Sequence, residues 1–298
     1  MKKAISLLLA AVMVLALAAC GGGAASSAPA ASAPAQSAPA ASAPAAAPAA
    51  PELTTVEKGK LTVATSPDFA PYEFYAVDDK GTPHIAGFDM ALAQYIADEM
   101  GLTLEIVPMD FDGVLMSLQT KSVDLGLAGL SADPKRENIM DFSDIYYKGG
   151  QSFVTLKGNE GKFPDLASLN QKGISVGAQT GSIQVDLAQQ YSADTDIIQL
   201  AKVTEIIAEL LANKLDGAYI ETAVAESYAK NYPELAIVVD VPYEESEGSA
   251  VGVSKGNAEL LAAVNAAIRK AIADGSMDNF VAEANELASG DIIEGLLS

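Results

Sequence analysis

The sequence predicts an α/β protein of two lobes, each a parallel or mixed sheet with helices on both faces. Residues 60–130 alternate short apolar runs and helical spacing in the order β-α-β-α-β, the pattern of a parallel sheet. Residues 174–254 repeat this pattern. Two extended segments, 147–155 and 241–250, carry glycine and polar residues where the chain would cross between the halves. We therefore expect two lobes joined by two hinge strands.

The same patterns predict how the 298 residues are divided. Residues 1–20 are an export signal and residues 21–52 a tether. The first lobe comprises residues 53–150 and 246–298. The second lobe, residues 151–245, is inserted between them, so that residues 53–298 form one domain.

The first twenty residues have the features of an export signal. Lys2 and Lys3 precede an apolar stretch, 4–17, that is shorter than the ~20 residues a spanning helix needs. The ending Leu-Ala-Ala-Cys resembles a bacterial lipobox, which implies cleavage before Cys20 and diacylglyceryl attachment to its sulfur. The resulting lipid anchor is expected to include palmitate. Cys20 is the only cysteine of the chain. The alternative is an ordinary secretory signal with an incidental cysteine.

The segment that follows is a tether. From Ala24 to Pro51 it contains only Ala, Ser, Pro and one Gln, with Ser-Ala-Pro-Ala recurring every five residues. Such a composition cannot build a core. If fully extended in the polyproline form, the tether would hold the next domain on the order of 80 Å from the membrane.

The charge balance of the chain argues against nucleic acid as a partner. Acidic residues number 39 against 18 basic ones, for a net charge of -21. No segment clusters lysine or arginine into a nucleic-acid footprint. The acidity most simply serves solubility.

The periodicity places the individual elements in order. In the first lobe it predicts strands at 60–65, 102–107 and 123–130, with helices from Gly87 to Gly101 and over 111–119. In the second half it predicts strands at 174–178, 196–200, 214–220, 236–239 and 250–254. It predicts helices at 183–191, 204–212, 257–274 and 277–287.

Arg136 is the first candidate for ligand binding. It follows the predicted strand 123–130 and the helix-opening residues Ser131, Asp133 and Pro134. A helix N-terminus and an arginine fork together can receive a carboxylate or phosphate. The alternative is a solvated turn residue paired with a nearby acid, Glu137 or Asp141.

Four segments follow predicted strands and are expected to meet at the cleft, since ligands of open α/β sheets bind beyond the carboxyl ends of strands. They are 66–72, 131–136, 180–182 and Glu221. Arg136 and the amides of Gly181 and Ser182 offer an anion site, and Glu221 an acceptor for an amine. Together they suit a zwitterion. The side chains that line this predicted site include two aromatic walls, Phe69 and Phe111. Each residue also has a purely structural alternative: core packing for the aromatics, a cap for Ser182, a solvated first-turn acid for Glu221.

The chain from about Leu61 to Leu287 resembles the bacterial extracellular solute-binding proteins of family 3, the polar amino acid receptors of ABC importers. The resemblance is carried by Ala70-Pro71-Tyr72-Glu73-Phe74, Gly87-Phe88-Asp89, Val123-Asp124, Ser131 with Arg136, Asp141-Phe142-Ser143 and Gly177 to Gln184. It implies a type II periplasmic-binding-protein-like fold. It also implies a lipid-anchored, monomeric, extracytoplasmic receptor with a membrane permease as partner, needing no cofactor and no metal.

The resemblance also implies residue roles. The family arginine matched by Arg136 holds the ligand α-carboxylate, with amides from Ser131 and from the turn of Gly181, Ser182 and Ile183. The acid matched by Glu221 takes the α-amine.

Three residues depart from the family pattern. Glu221 stands where aspartate is common, and Ile183 where a threonine would add a hydroxyl. Ser66 stands where receptors of basic amino acids tend to carry an acid, which favours a ligand with a polar, uncharged side chain.

Two rival functions share this fold. A secreted dehydratase acting on prephenate or arogenate would need a general acid, for which Glu221 or Glu73 could serve. The single histidine, His84, lies in a predicted loop, and no nucleophile–base pair is recognisable. A receptor subunit that reports the ligand to a membrane kinase is the second rival.

Overall fold

The computed structural model describes residues 53–78 and 80–289. The predicted export signal, Cys20 and the tether lie outside them. In chain order the elements are β1 (Lys60–Thr65), β2 (Asp68–Phe69), β3 (Glu73–Val77), β4 (Pro83–Ala86), α1 (Phe88–Met100), β5 (Thr103–Pro108), α2 (Phe111–Gln119), β6 (Leu125–Gly126), β7 (Met140–Tyr147), β8 (Gln151–Leu156), β9 (Ser175–Gln179), α3 (Ile183–Tyr191), β10 (Asp196–Leu200), α4 (Val203–Leu211), β11 (Gly217–Glu221), α5 (Thr222–Asn231), β12 (Leu235–Asp240), β13 (Ser249–Ser254), α6 (Ala258–Ala273) and α7 (Ser276–Ala288). Among the described helices, none is long and apolar enough to cross a membrane.

The first lobe is built on a mixed sheet in the order β5-β1-β6-β13-β7. β1 runs parallel to β5 and β6, and β13 runs antiparallel to β6 and β7. Leu92 of α1 and Val264 of α6 pack in one apolar cluster with Val63 of β1. Val114 of α2 belongs to a separate cluster. Helices therefore cover both faces of the sheet, as the sequence predicts.

The second lobe repeats this plan with the order β10-β9-β11-β8-β12. β9 runs parallel to β10 and β11, whereas β8 runs antiparallel to β11 and β12. α4 and α5 contribute Ile206 and Val224 to the same apolar cluster that contains Val63 of β1, so this cluster continues from the first lobe into the second. α3 contributes Leu187 to another cluster. The chain passes between the two sheets at residues 148–150 and 241–248.

Two aspartates play the same structural part in the two lobes. Lys121 after α2 and Asn213 after α4 both have positive φ, 56° and 57°. Three residues further on, Asp124 Oδ2 accepts from a backbone N–H of β1 at 2.9 Å, and Asp216 Oδ2 accepts from one of β9 at 3.0 Å. Each carboxylate thus joins the start of its strand to the neighbouring parallel strand.

A small antiparallel sheet, β2-β3-β4, lies beside the first lobe. Its connection to α1 passes through Gly87, with φ 118°, where a Cβ would lie 2.1 Å from the Tyr72 carbonyl oxygen. Only glycine fits such an approach. The Asp89 N–H donates to the same carbonyl at 2.9 Å, which ties segment 66–72 to the start of α1.

The elements around Arg136 differ from the prediction. β6 contains only Leu125–Gly126 rather than residues 123–130, because the chain then bends through Gly129 at φ 56°. The helix expected after Asp133 is a three-residue 3-10 turn, Pro134–Arg136. So short a turn has little dipole to attract an anion. Any anion site here therefore depends on the guanidinium. No sequence pattern predicted β2, β3, β4, β7 or α5.

Candidate functional site

The predicted site residues gather where the carboxyl ends of strands from both sheets face each other. Seven of the nine line one small cavity of about 10 Å³: Phe69, Phe111, Ser131, Arg136, Ser182, Ile183 and Glu221. A second cavity of about 510 Å³ shares Ser131, Gln151 and Glu221 with it and extends along residues 241–249. The first holds about one water molecule, and the second is of the size that small-molecule sites have.

Arg136 is buried in this cleft, with 9% of its surface exposed. Its Nη2 donates to the Gly181 carbonyl oxygen of the other lobe at 3.0 Å, and its guanidinium carbon lies 5.7 Å from the centre of the Phe111 ring. Burial lowers its pKa from the usual value. Among the described residues Arg136 forms no ion pair, and Asp141 pairs instead with Lys255. The alternative of a solvated arginine paired with Glu137 or Asp141 is therefore wrong.

Gly181 and Ser182 form the turn into α3. Gly181 has φ 78°, a left-handed conformation that favours glycine. Ser182 stands at the N-cap position, yet its side chain accepts no capping hydrogen bond. Its hydroxyl donates instead to the Gln179 carbonyl at 2.6 Å. Ile183 is the first residue of α3 and is buried against the cavity.

Glu221 ends β11 and is 4% exposed. Its Oε2 accepts from Val224 N at 2.9 Å, which caps α5, and its Oε1 accepts from Gly150 N at 3.3 Å. Burial raises its pKa to about 7, against the opposing effect of these hydrogen bonds and of the Tyr72 hydroxyl. Glu221 is therefore a buried capping acid, and the alternative of a solvated first-turn acid is wrong.

The aromatic residues and Ser66 complete the first lobe's side. Phe69 and Phe111 are both nearly buried, and the ring centres of Phe69 and Tyr72 lie 5.4 Å apart. Ser66 does not line the cavity. Its hydroxyl donates to Asp68 Oδ1 at 2.7 Å, so that it reaches the cleft through that carboxylate.

Sequence reasoning missed four cleft residues: Asp68, Gln151, Gln179 and Gln184. Gln184 donates to Gln151 Oε1 at 2.7 Å, and Gln179 donates to Asp68 Oδ2 at 3.1 Å. Burial raises the pKa of Asp68 to about 6. For Gln179, which ends β9, and Asp68, which lies shortly after β1, the strand end was the available signal. Gln151 begins β8 and Gln184 lies in α3, so this signal could not find them.

The charged side chains that line the larger cavity are all acidic. Its lining includes Glu221, Glu244 and Glu247 and neither lysine nor arginine. Three acids around one space favour a positively charged group within it.

Two α/β lobes with a buried arginine and a buried glutamate in the cleft between them define a solute receptor of the type II periplasmic-binding-protein class. Residues 61–283 match the profile of the bacterial extracellular solute-binding proteins, family 3. The chain belongs to this family. The predicted fold class is confirmed, whereas the lobe boundaries and the roles of the site residues stay predictions.

Relatives and solved structures agree with this assignment. The arginine-binding extracellular protein ArtP of Bacillus subtilis is 31% identical over 284 residues, 93% of this chain and 96% of that protein. An amino acid ABC transporter substrate-binding protein of Streptococcus pneumoniae, solved with L-arginine, superposes with a TM-score of 0.74 at 36% identity. That match covers 79% of this chain and 96% of the other. A cyclohexadienyl dehydratase of Pseudomonas aeruginosa is more distant, 26% identical over 61% of this chain and 67% of that protein.

Proposed function

We propose that the chain captures a free L-amino acid between its lobes and delivers it to the permease of an ABC importer. The family and the binding proteins among its relatives support this role rather than an enzymatic one. The observation that carries the proposal is the pair Arg136 and Glu221, buried on opposite lobes of one cleft.

Arg136 is proposed to hold the α-carboxylate. A buried guanidinium without an ionic partner is costly, and a bidentate carboxylate is the partner that best relieves that cost. The ligand would take the place of the Gly181 carbonyl at Nη2. Ser131 and the turn of Gly181, Ser182 and Ile183 are proposed to add backbone amides. Phe69 and Phe111 are proposed to wall the aliphatic part.

Glu221 is proposed to accept the α-ammonium. Oε1 accepts a long 3.3 Å bond from Gly150 N, which a stronger charge-assisted bond from an ammonium could replace, while Oε2 stays on the α5 cap. An ammonium here would also neutralise a carboxylate whose pKa burial has raised to about 7.

For the side chain we propose a cationic group, with L-arginine as the first ligand to test. Ser66 alone favours an uncharged ligand. Glu244 and Glu247, which the fold brings to the larger cavity, favour a cation instead, and so do the arginine-binding relatives.

The location follows from the same role. We propose that the protein is monomeric and is held on the outer face of the cytoplasmic membrane, or on its periplasmic side if the envelope has two membranes, by a lipid on Cys20. The short Lys-led apolar signal and Leu-Ala-Ala-Cys support this. Cys20→Ser should release the protein or leave it unprocessed. Fully processed, membrane-bound protein in that variant would exclude the anchor.

The test is a calorimetric titration of the purified full chain with the common amino acids. Micromolar binding of L-arginine corresponds to about -8 kcal/mol and should raise the melting temperature at saturation. Arginine lacking its α-amine should bind much more weakly to the wild type, and Glu221→Gln should reduce this discrimination by roughly 1.5–3 kcal/mol. If no amino acid binds while a sugar or peptide does, the substrate class is wrong.

A further inference from the structure

A buried carboxylate of the first lobe reaches into the second lobe. Asp68 lies in β2, directly after β1, and is 4% exposed. Its Oδ2 accepts from Val203 N at 2.5 Å and from Gln179 Nε2 at 3.1 Å, both in the second lobe. Its Oδ1 accepts from Ser66 of its own lobe at 2.7 Å. Oδ1 therefore binds within the first lobe, while Oδ2 binds two groups of the second lobe.

The contact lies on the side of the second lobe remote from the connections between the lobes. Those connections enter and leave through β7, β8, β12 and β13. β10 is at the edge of its sheet opposite β12, and α4 begins directly after β10. A rotation about the connections would part this edge from the first lobe. The bond from Val203 to Asp68 therefore belongs to the closed arrangement.

The N-terminus of α4 needs an acceptor from elsewhere. Val203 is the first residue of α4, and the first N–H groups of a helix have no partner within it. Lys202 precedes it, and a lysine side chain has no acceptor to offer. Asp68 fills this role from the opposite lobe, and it can do so only while the lobes are together.

We propose that Asp68 is the latch of the closed receptor: a positioning residue that caps α4 across the cleft and slows ligand release without holding the ligand. The proposal rests on the proposed function only in that lobe closure retains the ligand. Periplasmic binding proteins are a known example of domain closure around a ligand. Asp68 thereby adds a contact to the closed state that the open state lacks, which shifts the equilibrium between them.

The first experiment measures association and dissociation rates of L-arginine with the purified full chain by stopped flow. Asp68→Ala leaves the Val203 N–H buried without its acceptor, so dissociation should accelerate roughly 10-fold or more. Association should stay within about twofold, since encounter precedes closure. Asp68→Asn should restore slow release, because its carbonyl can accept from Val203 and its amide can donate to Ser66. A purely structural role would instead lower the melting temperature of the unliganded chain.

The second experiment removes the donor. Val203→Pro deletes the N–H at the first helical position, where proline is tolerated. Lys202 already has the extended conformation, φ -123° and ψ 144°, that a residue before proline prefers. Val203→Ala controls for the lost side chain. If the two groups act as a pair, the double variant Asp68→Ala/Val203→Pro should release ligand no faster than the faster single variant.

Asp110→Asn is the matched control, since this exposed acid at the start of α2 lies near Asp68 and makes no capping hydrogen bond. Its rates should equal those of the wild type.

Wild-type release from Asp68→Ala, or strictly additive effects in the double variant, would overturn the latch. If another amino acid binds instead of L-arginine, it replaces the probe. If none binds, the proposed function fails, and the latch is judged by solution scattering: an unchanged radius of gyration in unliganded Asp68→Ala overturns it.

Discussion

Arg136 and Lys135 are neighbours on one short turn, yet their surroundings are opposite. Lys135 is largely exposed and pairs with Asp186 of the other lobe at 2.7 Å, the side chains being 63% and 42% exposed. Arg136 is buried, with a backbone carbonyl and an aromatic ring as neighbours. Because exposed ion pairs contribute little and desolvated ones depend strongly on their partner, only the arginine is expected to matter for the ligand.

This contrast gives a prediction at the residue scale. Arg136→Ala should weaken L-arginine binding by roughly 3–5 kcal/mol, two to three decades or more in affinity, because the ligand carboxylate would be buried unpaired. Lys135→Ala, the matched control, should cost less than about 1 kcal/mol. The measurement is calorimetry on both variants at one salt concentration. Near-normal affinity in Arg136→Ala would place the carboxylate elsewhere in the cleft.

At the scale of elements, the sequence patterns predicted the helices whose bounds depend on residues close together in the chain. α2 and α3 have the predicted bounds, 111–119 and 183–191, because each has apolar residues at helical spacing and a turn at its start. β6 was overestimated, since an apolar run cannot show that its chain bends away from the sheet after two paired residues. Glu221 was expected at the cleft because it directly follows a predicted strand, and it ends β11 there. Arg136 was expected at the cleft for the same reason, but β6 ends well before it, so its burial was not predictable from the strand. The contact between Asp68 and Val203 did not, because it joins residues 135 positions apart through the closed tertiary structure.

The paired aspartates give a prediction at the element scale. Asp124 accepts three hydrogen bonds, from Val56 N at 2.7 Å and from both the backbone and the hydroxyl of Thr62 at 2.9 and 2.6 Å. Asp216 accepts one from the backbone of β9 and is less buried. Asp124→Ala should therefore lower the free energy of unfolding by roughly 2–3 kcal/mol, and Asp216→Ala by about 1.

Chemical denaturation of the two variants, compared with the wild type, measures this difference. Asp124→Asn is the control, since it keeps one acceptor oxygen and should recover part of the loss. Equal destabilisation by Asp124→Ala and Asp216→Ala would show that the two positions are equivalent in energy as well as in place.

At the scale of the whole molecule, the acids that make stability depend on pH are buried rather than on the surface. Burial raises the pKa of Glu73 well above its usual value, with added repulsion from Asp89 and Asp68. Within residues 53–78 and 80–289, neither carboxyl oxygen of Glu73 has a partner of good hydrogen-bond geometry. Burial also raises the pKa of Asp89, like that of Asp68, to about 6. The folded chain therefore binds protons that the unfolded chain would release near neutral pH.

This predicts that the unliganded protein is more stable at pH 5 than at pH 8. A carboxyl whose pKa is raised by folding stabilises the fold fully below its unfolded pKa, and that contribution is lost as the pH rises through the folded pKa. For Glu221 the window runs from 4.5 to about 7. Between pH 5 and 8 the titration of Glu221 should lower the free energy of unfolding by on the order of 2–3 kcal/mol. The melting temperature should therefore fall by roughly 5 °C or more across this range.

Thermal melts of the full chain at half-unit pH steps test this, with Glu221→Gln as the decisive variant. Glutamine keeps an acceptor for Val224 but cannot titrate, so the variant should lose less stability than the wild type as the pH rises from 5 to 8. Asp78→Asn is the control: hydrogen bonds from the Thr82 and Lys80 backbone lower the pKa of this exposed acid, so it titrates below the tested range. A wild-type melting temperature that rises from pH 5 to 8, or a Glu221→Gln profile parallel to that of the wild type, would contradict the buried protonation. In that case Glu221 would be ionised throughout, held by its capping bonds to α5 rather than neutralised by burial.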